Sequence, residues 1–134
     1  MSKLIVYHLG VGDIFSRKAV RVMKDASAVN SLVEGTIEEV PLTDELFIVT
    51  SYEMNMLRTI ANRVLLNDGE FSRIIFGDAV VVRKNADGEY VHIKDSDVDI
   101  IESALRPIFM YSHTGVSYFK EDMKGITTYE FKKS

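Results

Sequence analysis

Residues 73–83, RIIFGDAVVVR, limit what this chain can fold into more than any other stretch. β-branched and aromatic residues fill the run on both sides of a Gly77-Asp78 break. Turn signals bound it, Asn67-Asp68-Gly69 before and Asn85-Ala86-Asp87-Gly88 after. Such a segment reads as extended chain at the heart of a sheet, and a Gly inside it marks a bulge or a close backbone approach. The second turn sends EYVHIK back as a hairpin partner.

The same punctuation recurs along the chain. KLIVYHL (residues 3–9) is a strand that ends at Gly10-Val11-Gly12. Residues 14–23 fit a strand or a helix, and the strand is favoured. Ala26 to Glu34 reads as a short helix with Val29, Leu32 and Val33 on one face and Gly35 as its stop. TIEEV (36–40) and ELFIVTS (45–51) form a hairpin across Pro-Leu-Thr-Asp. Asp95-Ser96-Asp97 opens the clearest helix, with Ser96 and Asp99 at capping-box spacing, Val98, Ile101 and Leu105 as the buried stripe, and Pro107 as its end. IFMYSH, VSYFK and TTYEFK then supply one or two further strands. The expected fold class is α+β: a mainly antiparallel sheet with two or three short helices packed on one face. Residues 1–134 read as a single domain, with 107–134 as an aromatic and basic strand extension.

YEMNMLRTIANRVL, residues 52–65, is the ambiguous stretch. Met54, Leu57, Ile60, Ala61, Val64 and Leu65 fall at helical spacing, which would turn Met54, Leu57, Ala61 and Val64 to the core. Tyr52, Glu53, Arg58, Asn62 and Arg63 gather polar groups able to hold a ligand or partner. The segment is either a core helix with a wet face or a loop that holds something. A carboxylate beside two guanidiniums stays ionised, which suits positioning better than general-acid work.

Composition narrows the function. The net charge is −4 in 134 residues, so phosphate backbones repel the chain as a whole and nucleic acid is a poor partner. The chain has no cysteine, hence no disulfide, thiolate or Cys-based zinc site. Its apolar runs are too short to span a bilayer, and its N-terminus lacks a signal-peptide pattern. A soluble, cytoplasmic protein is expected. His8, His92 and His113 are scattered without metal-ligand spacing. Asp95, Asp97 and Asp99 open like a calcium loop, but Ile100 and Arg106 stand where Gly and Glu are needed. Acidic groups at a helix start account for the trio. Gly10-Val11-Gly12 has Phe15 at the third glycine position of a dinucleotide fingerprint. No cofactor, metal or catalytic residue is assigned. Tyr111, Tyr118, Phe119, Tyr129 and Phe131, among lysines, form either a partner interface or half-buried strand faces.

The order of motifs resembles a known family. AVNSLVEGTIEEVPL, then ELFIVTSYE, then Asn62-Arg63, then IIFGDAVVV and EYVHIKDSDVDII are similar, over residues 26–103, to the uncharacterised phage and bacterial domain-of-unknown-function family 3846. The chain departs from the family's glycine-bearing loop and its Pro-x-Asn-Arg at Glu53-Met54-Asn55-Met56 and Thr59-Ile60-Ala61. Gly35, Glu53, Asn62, Arg63, Gly77 and Asp78 are the matches that remain. The resemblance implies a phage or mobile-element setting and a non-enzymatic accessory role by binding, foremost antagonism of a host protein such as an antiviral defence factor. A sequestering protein for a small nucleotide signal is the alternative. A small enzyme using Glu53 or Asp78 is the third. A homodimer or higher homo-oligomer fits either binding role.

Overall fold

The computed structural model describes residues 3–11, 20–33, 35–120 and 124–132. The Gly12 and Glu34 positions and most of the 14–23 segment lie outside them.

Among the described residues, eleven strands and three helices follow one another. Strand β1 spans Leu4–Leu9 and β2 Val20–Met23; helix α1 spans Ala26–Asn30. Strands β3 (Ile37–Pro41) and β4 (Leu46–Ser51) precede helix α2 (Tyr52–Leu57). Strands β5 (Ala61–Asn67), β6 (Glu70–Phe76), β7 (Ala79–Lys84) and β8 (Tyr90–Val91) lead to helix α3 (Asp95–Ala104). Strands β9 (Leu105–Ser112), β10 (Gly115–Phe119) and β11 (Ile126–Glu130) complete the order.

The mainly antiparallel α+β class holds, with the strands divided between two sheets. The larger has the order β2-β1-β7-β4-β3, with β8 on β7. The smaller has the order β11-β10-β9-β5-β6. Gly77-Asp78 makes the division. Gly77 takes φ +77°, and there the apolar run leaves the smaller sheet as β6 and enters the larger as β7. Met54 packs so close that a Cβ at position 77 would lie 3.0 Å from its Cβ and Cγ.

Three apolar layers result. Leu9, Ile48 and Val81 of the larger sheet meet Leu65 and Ile75 of the smaller, with Ile101 of α3 closing the edge. Val6, Val49, Val80 and Val82 face the other way, against Val29 and Val33 at α1. Strand β7 is therefore covered on both faces, which explains its unbroken AVVV. The third layer, Val64, Ile74, Phe76, Val116 and Tyr118, lies on the other face of the smaller sheet.

Several local expectations change. Helix α1 stops at Asn30, and turns carry Val33 inward. The tail supplies three strands, not one or two, and β9 pairs with β5. Pro107 lies within β9, opposite Arg63; the helix has already ended at Ala104, and Leu105, expected on its buried stripe, is buried on β9 instead. The cap of α3 is Lys94, not Ser96: the Asp97 carboxylate accepts the Lys94 N–H at 2.7 Å.

The ambiguous stretch is half helix and half strand. Leu57 is 68% exposed and Ile60 48% exposed, while Met54 and Ala61 are half-buried. Val64 is buried, but on a strand. Two register shifts mark where an extra residue enters the β5–β6 pair. Ala61 faces Phe76 and Arg63 faces Ile75, so Asn62 is extra on β5. Leu65 faces Arg73 and Leu66 faces Phe71, so Ser72 is extra on β6. The bulge at Asn62 breaks the two-residue alternation and leaves residues 62–65 all buried.

Strand β10 begins at a tight crossing. A Cβ on Gly115 would stand 2.6 Å from the backbone oxygen of Tyr129 on β11. Since both sides of that contact are main chain, Gly115→Ala is expected to cost about 2 kcal/mol. The urea midpoint should fall at unchanged m-value.

Candidate functional site

The polar residues singled out in 52–65 go to different places. Ser51, at the end of β4, caps α2 by accepting the Met54 N–H at 3.2 Å. Glu53, in the first turn, reaches back to the loop before β3, where its Oε1 accepts the Thr36 N–H at 2.6 Å. The Thr36 side chain and N–H hold this carboxyl below its ordinary pKa. A side chain at Gly35 would collide with it. Tyr52 is exposed.

Asn62 and Arg63 point inward, 4% and 8% exposed. The Asn62 amide donates at 2.8 Å both to the Leu9 carbonyl and to the Gly77 carbonyl. Its Oδ1 accepts from Arg63 Nη1 at 2.7 Å. One amide thus joins the end of β1, the start of β5 and the crossing from β6 to β7. Beside it, Asp78 Oδ1 accepts the Val11 N–H at 2.8 Å. Tyr7 donates to Glu102 on α3 at 2.8 Å, and burial, then this hydrogen bond, pushes its phenol well above the ordinary range. Glu53, Asn62 and Asp78 thus tie strand ends and loops together, Arg63 holds the Asn62 side chain, and Gly35 and Gly77 leave room for Glu53 and Met54. These contacts hold the fold together at that join.

Arg58 takes another course. It ends α2 with φ 52° and ψ 45°, the left-handed conformation, and its side chain is exposed. It lines an open groove of about 500 Å³ with Asn55, Phe71, Ser72, Arg73, Phe76, Tyr129, Phe131 and Lys132. The smaller sheet curls until its two edges meet there. Phe71 of β6 stacks on Tyr129 of β11 with centroids 4.0 Å apart and planes at 11°. Phe131 tilts against both rings at 6.4 and 6.1 Å. Side chains, not a ladder, close the seam. Asn55 is spent on structure: it donates to Thr50 Oγ1 and the Ser51 carbonyl and accepts the Phe76 N–H.

Charge sets the groove apart from the acidic chain around it. Arg58, Arg73 and Lys132 line it, and among the described residues no carboxylate does. Arg73 Nη2 contacts Glu38 Oε1 on β3 at 3.1 Å. Neither Arg58 nor Lys132 has a carboxylate partner among the described residues. Guanidinium and ammonium groups pair with anions and aromatic faces stack on flat groups, so this arrangement is chemically able to hold an anion that carries one.

The tail aromatics go to different places. Tyr118 is buried, and burial raises its phenol pKa. Tyr111 meets Phe76 edge-on at 5.4 Å, and Phe119 meets Phe109 edge-on at 5.9 Å. Tyr129 and Phe131 reach the groove. Elsewhere His92 Nδ1 accepts the Ile5 N–H at 3.0 Å. Among the described residues no three His, Asp or Glu side chains gather as a metal site, and no helix is long and apolar enough to cross a membrane.

The model of a family described as Domain of unknown function (DUF3846) matches residues 15–106, more than half of the chain. The chain belongs to this family. No curated protein and no solved structure matches it. The family segment ends at the start of β9, so the groove is composite. Arg58, Phe71 and Arg73 come from the family segment, and Tyr129, Phe131 and Lys132 from beyond it. Phe71 and Arg73 escape sequence reasoning because nothing local says that β6 and β11 are the edges that meet. The alternation of Phe71 and Arg73 along β6 was the only available signal.

Proposed function

We propose that the protein acts by binding rather than catalysis, and that the seam groove captures and sequesters a small anionic molecule bearing a flat ring. The observation that carries this is the company of Arg58, Arg73 and Lys132 with Phe131 and the Phe71–Tyr129 stack, with Glu38 on Arg73 as the one carboxylate paired to these cations among the described residues, in a protein of net charge −4. A groove of this volume suits a ligand of nucleotide size. In the phage or mobile-element setting, sequestration would lower the free concentration of a host signal.

A thermal-shift screen of phosphate-, sulfate- and carboxylate-bearing aromatic compounds tests this reading. A ligand at a hundredfold its Kd stabilises by about 2.7 kcal/mol, a shift easily read. The Arg58→Glu/Lys132→Glu variant should lose the shift while keeping its own Tm, and the compound should be recovered unaltered. A screen without a shift, or one equally strong in the double variant, refutes the reading.

A second reading, antagonism of a host protein, rests on a different observation. Tyr52, Met56, Leu57 and Ile60 are exposed around α2, and clustered exposed apolar side chains mark protein contact sites. Met56→Asp/Leu57→Asp should then abolish capture of a host protein that the Arg58→Glu/Lys132→Glu variant still captures.

A further inference from the structure

We infer that the groove takes a nucleoside di- or triphosphate, and that Glu38 is a built-in competitor that surrenders Arg73 to the phosphates. This rests on the anion-binding reading above and gives it a ligand class.

Three cations around one groove call for a ligand with at least two negative charges, and a phosphate chain presents them at a spacing that guanidinium forks match. The flat part has its own partner. The Phe71 and Tyr129 rings cover each other face to face, while Phe131 meets Phe71, Tyr129 and Tyr111 only at tilts of 52°, 58° and 58° and is half-buried at the groove wall. A base can lie on Phe131 while Arg58, Lys132 and Arg73 hold the phosphates. An extended acidic peptide fits less well. It would have to add to the free edge of β6, and the extra residue Ser72 interrupts the ladder there.

Glu38 stands outside the groove wall yet controls one of its cations. The Arg73 and Glu38 side chains are 37% and 32% exposed, so their pair is wet and exchangeable. An incoming phosphate offers Arg73 more charge than one carboxylate does.

Calorimetric titration of the full chain with adenosine triphosphate, guanosine triphosphate, adenosine and inorganic tripolyphosphate separates the outcomes. At least one nucleotide should bind, more than about tenfold tighter than adenosine or tripolyphosphate. Phe131→Ala should weaken the nucleotide and leave tripolyphosphate unchanged. Arg73→Ala should weaken the nucleotide about tenfold or more, the value of a charge-assisted contact. Glu38→Gln should tighten it about two- to fivefold, the value of a released exposed ion pair. Tripolyphosphate binding as tightly as nucleotide overturns the ligand class while the anion-binding reading survives. Glu38→Gln that lowers Tm and leaves affinity unchanged overturns the competitor role and makes the pair a staple between the sheets. No binding by any probe overturns the ligand class. The anion-binding reading then stands or falls with the thermal-shift screen.

Discussion

Asp97→Ala is expected to lower the stability of the fold by about 3 kcal/mol, and Tm by roughly 10 °C. Asp97 is 1% exposed on α3, and both its oxygens meet Arg83 of β7 at 2.9 Å, one at Nε and one at Nη2. Its Oδ2 also receives the Lys94 N–H. The substitution therefore removes a two-point ion pair and a helix cap together. Arg83, whose side chain is only 14% exposed, keeps Glu45, which is 61% exposed and a weaker anchor. Removing one partner of a buried pair costs about 3–5 kcal/mol, and the remaining Glu45 contact sets the lower end. Thermal or urea unfolding reads the loss.

The same pair fixes the acid limb. Arg83 holds the Asp97 carboxyl below its ordinary value of 3.8, against the opposing effect of burial, with help from the Lys94 N–H. The unfolded chain therefore binds this proton at a higher pH than the folded protein does. The stabilisation is complete above about pH 5 and is lost as pH falls through the depressed pKa. Asp97→Asn should be less stable than the wild type at neutral pH, and the gap should close as pH falls through the depressed pKa of the Asp97 carboxyl. A gap that persists in acid would mean that packing, not charge, accounts for the loss.

What the chain order reveals and what it hides differ in range. Asn67-Asp68-Gly69 and Asn85-Ala86-Asp87-Gly88 are local signals, and both sit where β6 and β8 begin their hairpins. The hairpin of β3 and β4 was legible for the same reason. Residues 61–65 were not, because a bulge turns Asn62 inward and buries four residues in a row, which resembles a helix face more than an alternating strand. Gly77-Asp78 was visible as an interruption, but that it separates two sheets is a long-range fact. The groove is the extreme case. Arg58, Tyr129 and Phe131 were each named from the sequence, in two unrelated groups. What unites them is the curl of the smaller sheet.

Asn62→Ala is the second large effect, at about 3 kcal/mol. The substitution leaves the carbonyls of Leu9 and Gly77 without their side-chain donor at the buried join and frees Arg63 Nη1 from Oδ1. Each buried group deprived of its partner costs about 1–3 kcal/mol, and the small cavity adds to this. Aspartate matches asparagine in size and keeps the acceptor for Arg63 but cannot donate to the two carbonyls, so Asn62→Asp should fail almost as badly. That outcome separates hydrogen bonding from volume. The contrast with Arg58 carries the functional argument. Arg58→Ala should leave the urea midpoint where it is and weaken ligand capture, because its side chain is solvent-exposed beside the groove. Asn62→Ala should move the midpoint and, in the fraction that remains folded, leave capture intact. If Asn62→Ala stayed fully stable and lost capture, the amide would belong to the site and the groove would not be where the ligand sits.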